Sequence, residues 1–393
     1  MKFAQKKAAE RNKALMSPPL LYLFCANVLI ILVKMVIINE KEGGVMRMRQ
    51  FDYSKLKDQL WDTEIVNYLS QIHEQKGKQA LYLRQKPDQL DRLVEIAKIQ
   101  STEASNEIEG IRTTETRLRQ LMNDKTTPRN RDESEIAGYR DALNVVHESF
   151  EYIPLTPNYI LQLHKIMFSH TDSAFGGSFK NVQNYISATD ANGKTFTLFT
   201  PLAPYETAPA MQEICDAYNR AVGESKVDPL ILIPVFIHDF LCVHPFLDGN
   251  GRMSRLLTTL LLYRAGYEVG KYISLEAKIS KNKGAYYDAL ELSQSGWYEE
   301  QDDPTPFIKY LLGTIISAYR DFEDRMEILA PSSEDTVRRA VESKIGKFTK
   351  REIVELCSNI SASTVERNLR VMVERGELVK HGAGKNTYYI RQC

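Results

Sequence analysis

Apolar residues recur at steps of three and four positions along most of the chain, which is the spacing of one face of an α-helix. From residue 51 to about residue 122 this spacing predicts helices. One of them opens at Pro87 and puts five apolar side chains on a single face: Leu90, Leu93, Val94, Ala97 and Ile108. Gly110 stands where helices commonly end, so Glu109 is predicted to lie near a helix C-terminus.

Two segments break the helical spacing. Residues 123–135 are polar and are predicted to form a loop before helices resume. Between residues 184 and 200, Asn192-Gly193 separates two runs of β-forming residues. Asn-Gly in such a place is the strongest short signal for a β-hairpin, which is predicted to end at Pro201.

The two most apolar helices flank a polar stretch. Asp228-Pro229 is a capping residue followed by a first-turn proline, and residues 230–243 are apolar almost all round, so a buried central helix is predicted. A second apolar helix is predicted for residues 255–267. Residues 244–252, between them, are polar and rich in glycine. A polar loop between buried helices is costly, so we expect it to serve a function.

The tail, from about Ser333, is predicted to be a separate domain. Its pattern predicts three helices and then a ribbon of alternating residues up to Ile390, which is the order of a winged helix-turn-helix. Residues 335–393 contain 12 basic and 7 acidic residues, a net charge of +5.

The first 45 residues are basic and then apolar. The apolar run at residues 20–33 resembles a signal anchor, but it is shorter than the roughly 20 residues that span a bilayer. We favour translation from Met46 or Met48. A membrane anchor at residues 20–38 and an extra packed helix are the alternatives.

The composition of the chain argues against certain classes of protein. The chain has 393 residues, with 51 basic and 51 acidic side chains. This balance argues against a protein that coats nucleic acid over its whole surface, yet it allows a local basic patch. The five cysteines form no C-x-x-C, so neither a disulfide framework nor a structural zinc site is expected, and a cytoplasmic location is predicted.

The residues from His244 to Arg255 have the properties that a phosphate site needs. Gly249 and Gly251 let the backbone approach a ligand and turn its N–H groups toward an anion. The helix start that follows adds free N–H groups and the positive end of its dipole. Asp248 offers one carboxylate, the usual protein share of a magnesium site completed by phosphates and water.

Further side chains in this stretch extend the prediction. Asn250 can donate to a phosphate oxygen, and Arg252 and Arg255, three apart on a helix, can clamp successive phosphates. Histidine has an ordinary pKa near neutrality, so His244 suits removal of a proton from an attacking hydroxyl. Phe246 is expected to anchor the loop in the core. The pattern is neither a P-loop nor a Rossmann fingerprint.

The full string H-P-F-L-D-G-N-G-R-M-S-R resembles the signature of the Fic family, and the resemblance covers roughly residues 155–312. It implies a helical enzyme that transfers AMP from ATP to a protein Tyr, Ser or Thr hydroxyl. His244 would be the base, Asp248 would hold magnesium, and residues 249–251 would cradle the α- and β-phosphates. Arg252 and Arg255 would bind the outer phosphates. A divergent branch that transfers phosphate has a lysine where Gly249 stands, so that reaction is discounted.

Three other stretches fit the same resemblance. The hairpin at 184–200 resembles the flap that aligns the target peptide by strand addition. Tyr286 and Tyr287 resemble the aromatic pair that receives adenine, with core packing as the alternative. The segment from Ser105 to Gly110 resembles the inhibitory motif S-x-x-x-E-G. Glu109 would then pair with Arg255 and hold the enzyme mostly inactive.

These observations predict a mainly α protein, a Fic-type helical bundle with a small β-hairpin flap and a C-terminal winged helix-turn-helix domain. The predicted regions are residues 1–45, an apolar extension; 46–122, helices with the inhibitory motif; 123–320, the catalytic core; and 333–393, the winged helix.

A different class of function is the alternative, namely a nucleotide-sensing transcription regulator that binds DNA through its tail. The residues expected to face the major groove are Ser363, Thr364, Arg367, Asn368 and Arg370. A tail that binds protein is equally compatible, because Glu366 and Glu374 interrupt the basic face. The sequence leaves open which protein is modified, whether the chain modifies itself and whether it forms a homodimer. No membrane partner is expected.

Overall fold

The computed structural model describes residues 49–85, 87–189, 195–328, 332–357, 360–384 and 387–392. The apolar extension predicted at residues 1–45 and the Asn192-Gly193 turn lie outside the described residues. In the part of the chain that is described, no helix combines the length and the apolar character needed to cross a membrane.

Helices make up most of the described chain up to residue 328, as predicted. They are α1 Thr63–Gln85, α2 Pro87–Ile108, α3 Glu115–Met122, α4 Arg131–Ser149, α5 Pro157–Met167, α6 Pro204–Glu224, α7 Pro229–Val243, α8 Asn250–Arg264, α9 Leu275–Lys281, α10 Lys283–Gln294 and α11 Thr305–Ile328. Short 3₁₀ helices occur at Tyr53–Asp58, Phe150–Tyr152 and Glu268–Lys271. Strands β1 Ile186–Thr189 and β2 Thr195–Phe199 pair antiparallel, with Ser187 opposite Thr197, so the hairpin prediction is confirmed.

Helix α7 is the buried centre of this bundle, as its apolar sequence predicted. The Asp228 carboxylate caps it by accepting a bond of 2.9 Å from the N–H of Leu230. Almost every residue of α7 is buried, and the helix contacts α6, α8 and α11. It therefore provides a rigid support for the loop that follows it.

Two predicted helix boundaries were wrong. Helix α8 begins at Asn250 and not at Arg255, because the polar residues of its first turn are buried by hydrogen bonds and ion pairs rather than by apolar contact. Helix α4 begins at Arg131, inside the predicted loop, because the side chain of Asn130 accepts from the N–H of Glu133 at 2.9 Å. Hydrophobic spacing cannot reveal a helical turn that is polar on every face.

Residues 332–392 have a hydrophobic core of their own. The elements are α12 Ser333–Glu342, β3 Lys347–Phe348, α13 Lys350–Leu356, α14 Ala362–Glu374, β4 Leu378–His381 and β5 Tyr388–Arg391. The strands form an antiparallel sheet in the order β3-β5-β4. Val337, Phe348, Ile353 and Leu369 are among the side chains buried between the helices and the sheet.

Residues 49–52 and 295–302 belong to one compact unit, and residues 53–294 and 303–393 belong to another. In the first unit, the guanidinium of Arg49 forms an ion pair with Asp302 and donates to the carbonyl oxygen of Trp297 at 2.6 Å. It also lies 5.0 Å from the centroid of the Trp297 ring. Charged and aromatic contacts therefore join the described residues of this unit.

Candidate active site

The loop between α7 and α8, residues 244–249, is here called the signature loop. It turns through two left-handed residues, His244 with φ of 49° and Gly249 with φ of 82°. A Cβ at Gly249 would lie 2.6 Å from Cε of Met167 and 2.9 Å from the Phe168 ring, so only glycine fits. The first N–H groups of α8 have no partners within the helix. They point toward the helix N-terminus, where the signature loop lies.

His244 carries its proton on one defined nitrogen. Nδ1 lies 3.2 Å from the carbonyl oxygen of Leu241, and because a carbonyl can only accept, Nδ1–H is the donor. Nε2 is therefore left as the basic nitrogen. Burial lowers the pKa of His244 to about 4, and the charge of Lys180 acts in the same direction. The imidazole is neutral at pH 7, as a general base must be.

Phe246 anchors the signature loop, as predicted. Its side chain is fully buried and stacks on His164, with ring centroids 3.7 Å apart and planes 4° apart. His164 accepts at Nδ1 from the N–H of Gly177 and donates from Nε2–H to the carbonyl oxygen of Asp248 at 3.1 Å. His164 is thus a buried, satisfied histidine that also fixes the loop backbone.

Asn250 does not have the role that was expected of its side chain. Its Oδ1 accepts from the N–H of Phe246 at 2.9 Å, and its Nδ2 donates to the carbonyl oxygen of Phe246 at 2.8 Å. The amide closes the loop instead of pointing at a phosphate. The backbone of Asn250 still belongs to the first turn of α8.

Asp248 lies at the edge of the cavity with its carboxylate partly exposed. Its Oδ1 accepts from the N–H of Gly249 at 2.6 Å, and its Oδ2 is 3.2 Å from Nη2 of the exposed Arg131. The exposed Arg131 can move away at little cost, because surface ion pairs are weak. A single accessible carboxylate beside a helix N-terminus fits a magnesium ion that is completed by phosphates and water.

Arg252 is not placed as a phosphate clamp. Its side chain is 1% exposed, and Nη1 lies 2.7 Å from Oε2 of the buried Glu135. Its guanidinium also lies 5.2 Å from the centroid of the Phe168 ring and 3.5 Å from Asp248. The expected parallel clamp with Arg255 was wrong, because an isolated buried guanidinium is costly and Glu135 supplies its counter-charge.

Arg255 is held by the segment that resembles the inhibitory motif. Its Nε donates to Oγ of Ser105 at 2.9 Å, and Nη2 donates to the Ser105 carbonyl oxygen and to Oε1 of Glu109, both at 2.8 Å. One helical turn earlier, Ser101 donates to the buried Glu276 at 2.7 Å. Ser101 and Ser105 of α2 and Glu109 just past its end are spaced four apart, and together they hold one face of the helix against the core.

Glu109 covers the start of α8. A Cβ built on Gly251 would lie 2.3 Å from Oε1 of Glu109, so the carboxylate rests directly on the backbone there. Burial alone would raise the pKa of Glu109, but the charge and hydrogen bond of Arg255 outweigh burial and lower it. The carboxylate is thus a fixed anion over the glycine-rich start of α8.

A cavity of about 590 Å³ connects these groups. Its lining includes His244, Asp248, Arg255 and Glu109, together with Ile186, Ser187 and Leu198 of the hairpin. Tyr286 and Tyr287 line it as well, edge to face with ring centroids 5.3 Å apart. Tyr286 is buried, whereas Tyr287 is 43% exposed and offers a ring face to a ligand.

The tail residues expected to contact DNA differ in exposure. Ser363, Arg367 and Arg370 are exposed on α14, and Thr364 is half-buried, 2.8 Å from Oγ of Ser361. Asn368 is only 5% exposed, and its Nδ2 donates to Oγ of Ser333 at 3.3 Å. The prediction that Asn368 faces a groove was wrong, because it lies on the core side of the helix.

The sequence around this cavity matches the Fic/DOC family over residues 154–262. The chain contains a Fic domain. The matched residues run from just before α5 to the end of α8 and include the whole signature loop. The hairpin that lines the cavity also lies inside this Fic domain.

Relatives with curated names match part of the chain. Protein adenylyltransferase Fic of Drosophila yakuba is 30% identical over 181 residues, 46% of this chain and 32% of that protein. The protein of the same name from Drosophila willistoni matches equally. The chain therefore spans about a third of the length of these relatives.

Solved structures share the fold. A Fic family protein from Desulfovibrio desulfuricans superposes with a TM-score of 0.55 at 19% identity, over 85% of this chain and 97% of that one. A Fic domain containing signaling protein from Bacteroides thetaiotaomicron gives 0.53 at 24% identity, over 66% and 94%. The predicted fold class, mainly helical and Fic-type with a small hairpin, is confirmed.

Sequence reasoning missed four residues that hold the site of the Fic domain together: Glu135, His164, Lys180 and Asn184. None of the four belongs to the signature string. Each acts across more than 50 positions of chain, on Arg252 or on the signature loop. No local spacing rule connects residues so far apart, so the only available signal was their polar character within buried segments.

Proposed function

We propose that the chain is an autoinhibited protein adenylyltransferase, which moves AMP from ATP to a Tyr, Ser or Thr hydroxyl of a protein. One observation carries the proposal: the basic nitrogen of His244 and the glycine-rich start of α8 belong to one cavity, which the hairpin also lines. The names of the curated relatives support the same reaction.

The reaction follows from that arrangement. The substrate hydroxyl oxygen forms a bond to the α-phosphorus of ATP while its proton passes to Nε2 of His244. The bond from this phosphorus to the bridging oxygen breaks, and pyrophosphate leaves with the electron pair. The N–H groups at the start of α8 stabilise the developing negative charge. His244 then releases its proton to water, since its pKa is about 4 in the free protein.

Several side chains hold the nucleotide in this proposal. Tyr286 and Tyr287 receive the adenine, the residues 249–251 receive the α- and β-phosphates, and Arg255 receives the γ-phosphate once it is free of Glu109. Asp248 would hold magnesium, which neutralises charge on the phosphates when bound. Arg252 stabilises the anionic groups through its charge, from its buried position against Glu135.

Glu109 is the inhibitory residue of this proposal. It occupies the guanidinium of Arg255 and the space above Gly251 at the same time. A γ-phosphate would have to compete with a carboxylate that is already paired and partly desolvated. ATP therefore binds poorly or in an orientation that keeps its α-phosphorus away from His244.

Incubation of the full chain with magnesium and α-labelled ATP tests the proposal. Wild type, Glu109→Gly and Glu109→Gly with His244→Ala are compared, alone and with cell lysate as target. We expect label on protein with Glu109→Gly and none with the double variant. If no variant takes up the α-label, nucleotidyl transfer is contradicted, and label taken up from γ-labelled ATP would then show phosphate transfer instead.

DNA binding by the tail is the second candidate function. Arg367, Arg370 and Lys380 are exposed, and within the described residues none of them forms an ion pair. Lys350, by contrast, is paired with Glu366 at 3.0 Å. Three exposed cations without an ion pair on one small domain suit a phosphate backbone, although the carboxylate of Glu366 is near enough to Arg370 and Lys380 for their charges to lower its pKa. Binding to duplex DNA that weakens steeply with salt supports this candidate, and binding that is absent at low salt contradicts it.

A further inference from the structure

The side-chain amide of Asn184 is fully engaged by the signature loop and one lysine. Nδ2 donates to the carbonyl oxygens of His244, at 3.2 Å, and Phe246, at 2.9 Å. Oδ1 accepts from Nζ of Lys180 at 2.9 Å. An ammonium only donates and a carbonyl only accepts, so the amide has one allowed orientation. Asn184 thus holds the backbone on both sides of Pro245.

Lys180 extends the same clamp. Its Nζ donates to the carbonyl oxygen of Val243 at 3.1 Å, and its backbone N–H donates to the carbonyl oxygen of Pro245 at 2.8 Å. The side chain is 3% exposed, and burial lowers its pKa to about 8. Together, Lys180 and Asn184 bond the carbonyl oxygens of four consecutive residues, 243–246.

The clamp is continuous with the hairpin. Asn184 precedes the first residue of β1, Ile186, by two positions, which is about 7 Å of extended chain. Ile186 and Ser187 line the same cavity as His244. A single short segment therefore bonds the loop that carries the base and also begins the strand that lies across the cavity from it.

We propose that Asn184 is a positioning residue, which fixes the strand that presents the target relative to the base His244. This inference rests on the proposed function, because it assigns the hairpin to the protein substrate. A target hydroxyl that is aligned along β1 reaches Nε2 of His244 only if the distance between β1 and the signature loop stays fixed. Without the Asn184 amide, the strand and the loop would move independently. A displacement of about 1 Å can cost on the order of 100-fold in rate.

A matched pair of variants isolates this role. Asn184→Asp keeps the size of the side chain but replaces both N–H donors with an oxygen that faces two carbonyl oxygens. Gln183→Glu makes the same chemical change one residue earlier. Nε2 of Gln183 donates to the carbonyl oxygens of Asn184, at 3.0 Å, and Pro201, at 2.9 Å, so it ties the base of the hairpin and not the signature loop.

Both variants are made in the Glu109→Gly background, and AMP transfer and ATP affinity are measured. We expect Asn184→Asp to lower kcat by about 10- to 100-fold while the dissociation constant for ATP stays the same. Gln183→Glu should retain most of kcat. Equal losses from the two variants, or no loss from Asn184→Asp, would overturn the inference, and so would a parallel loss of ATP affinity.

Hydrogen exchange provides a test that does not need activity. We expect faster exchange at the amides of residues 244–249 in Asn184→Asp and unchanged exchange there in Gln183→Glu. If Glu109→Gly transfers no AMP, the proposed function fails, yet this comparison still decides whether Asn184 holds the loop. Unchanged exchange in both variants contradicts the clamp. If Asn184→Asp does not fold, Asn184→Ala replaces it, since alanine removes the donors without adding a repulsive oxygen.

Discussion

Oε1 of Glu109 lies 2.8 Å from Nη2 of Arg255, although 146 positions of chain separate the two residues. The guanidinium is 3% exposed, so this pair is shielded from solvent screening on its arginine side. Breaking it leaves Arg255 without its counter-charge and ready for another anion. In the proposed function that anion is the γ-phosphate of ATP.

Replacement of Glu109 by glycine should raise AMP transfer. The expected increase is about 5- to 150-fold, which corresponds to an inhibitory coupling of about 1–3 kcal/mol. Glu107→Gly is the matched control, since Glu107 lies two residues earlier, in the last turn of α2, but pairs with Arg112 at the surface. Initial rates with α-labelled ATP measure the effect. Equal activation by the control would show that loosening of α2, and not release of Arg255, raises AMP transfer.

The pKa of His244 predicts a flat response to pH around neutrality. A base acts in its neutral form, so its contribution is present above its pKa and is lost as pH falls through that value. With a pKa of about 4, the free imidazole should stay neutral from pH 8 to about pH 5. NMR titration of the free protein measures this, with His244→Gln to assign the resonance. A midpoint near the ordinary value of 6.5 would contradict the buried, neutral base.

Gly251→Ala should destabilise wild type more than it destabilises the Glu109→Gly variant. In wild type the new Cβ would lie 2.3 Å from Oε1 of Glu109, and we expect a loss of about 1–3 kcal/mol in the free energy of unfolding. In the Glu109→Gly background that contact is gone and the nearest remaining atom is Nη1 of Arg255 at 3.3 Å, so the loss should be smaller. Urea unfolding of the four proteins measures both changes. Equal losses in the two backgrounds would mean that Glu109 does not rest on Gly251.

Substitutions at Arg367 and Asn368, two neighbouring residues of the tail, should affect DNA binding and stability separately. Arg367→Gln should weaken DNA binding and reduce the salt slope by about one unit, because Arg367 is an exposed cation. Asn368→Ala should leave the slope unchanged and lower stability by about 1 kcal/mol, because its amide bonds Ser333 inside the domain. Fluorescence anisotropy at several salt concentrations and thermal unfolding distinguish them. If Arg367→Gln has no effect on a measurable DNA affinity, α14 does not contact the phosphates.

The signature string names groups that lie near one another but not the partners of each group. His244, Asp248, Gly249 and Gly251 line one cavity, because they are close in sequence and share one turn. Arg252 and Asn250 are in the same string, yet the guanidinium of Arg252 forms an ion pair with Glu135, and the side-chain amide of Asn250 bonds the backbone of Phe246. A motif specifies which groups are near one another, and burial decides which way each one points.

The sequence by itself determined the helical bundle, the hairpin, the glycine turn and the local order of chemical groups, because hydrophobic spacing and turn residues act over a few positions. Only the tertiary structure decided that Glu135 neutralises Arg252, that His164, Lys180 and Asn184 hold the signature loop, and that the carboxylate of Glu109 rests on Gly251. These contacts join segments far apart in the chain. They form because polar groups buried by the fold must find partners wherever packing brings them.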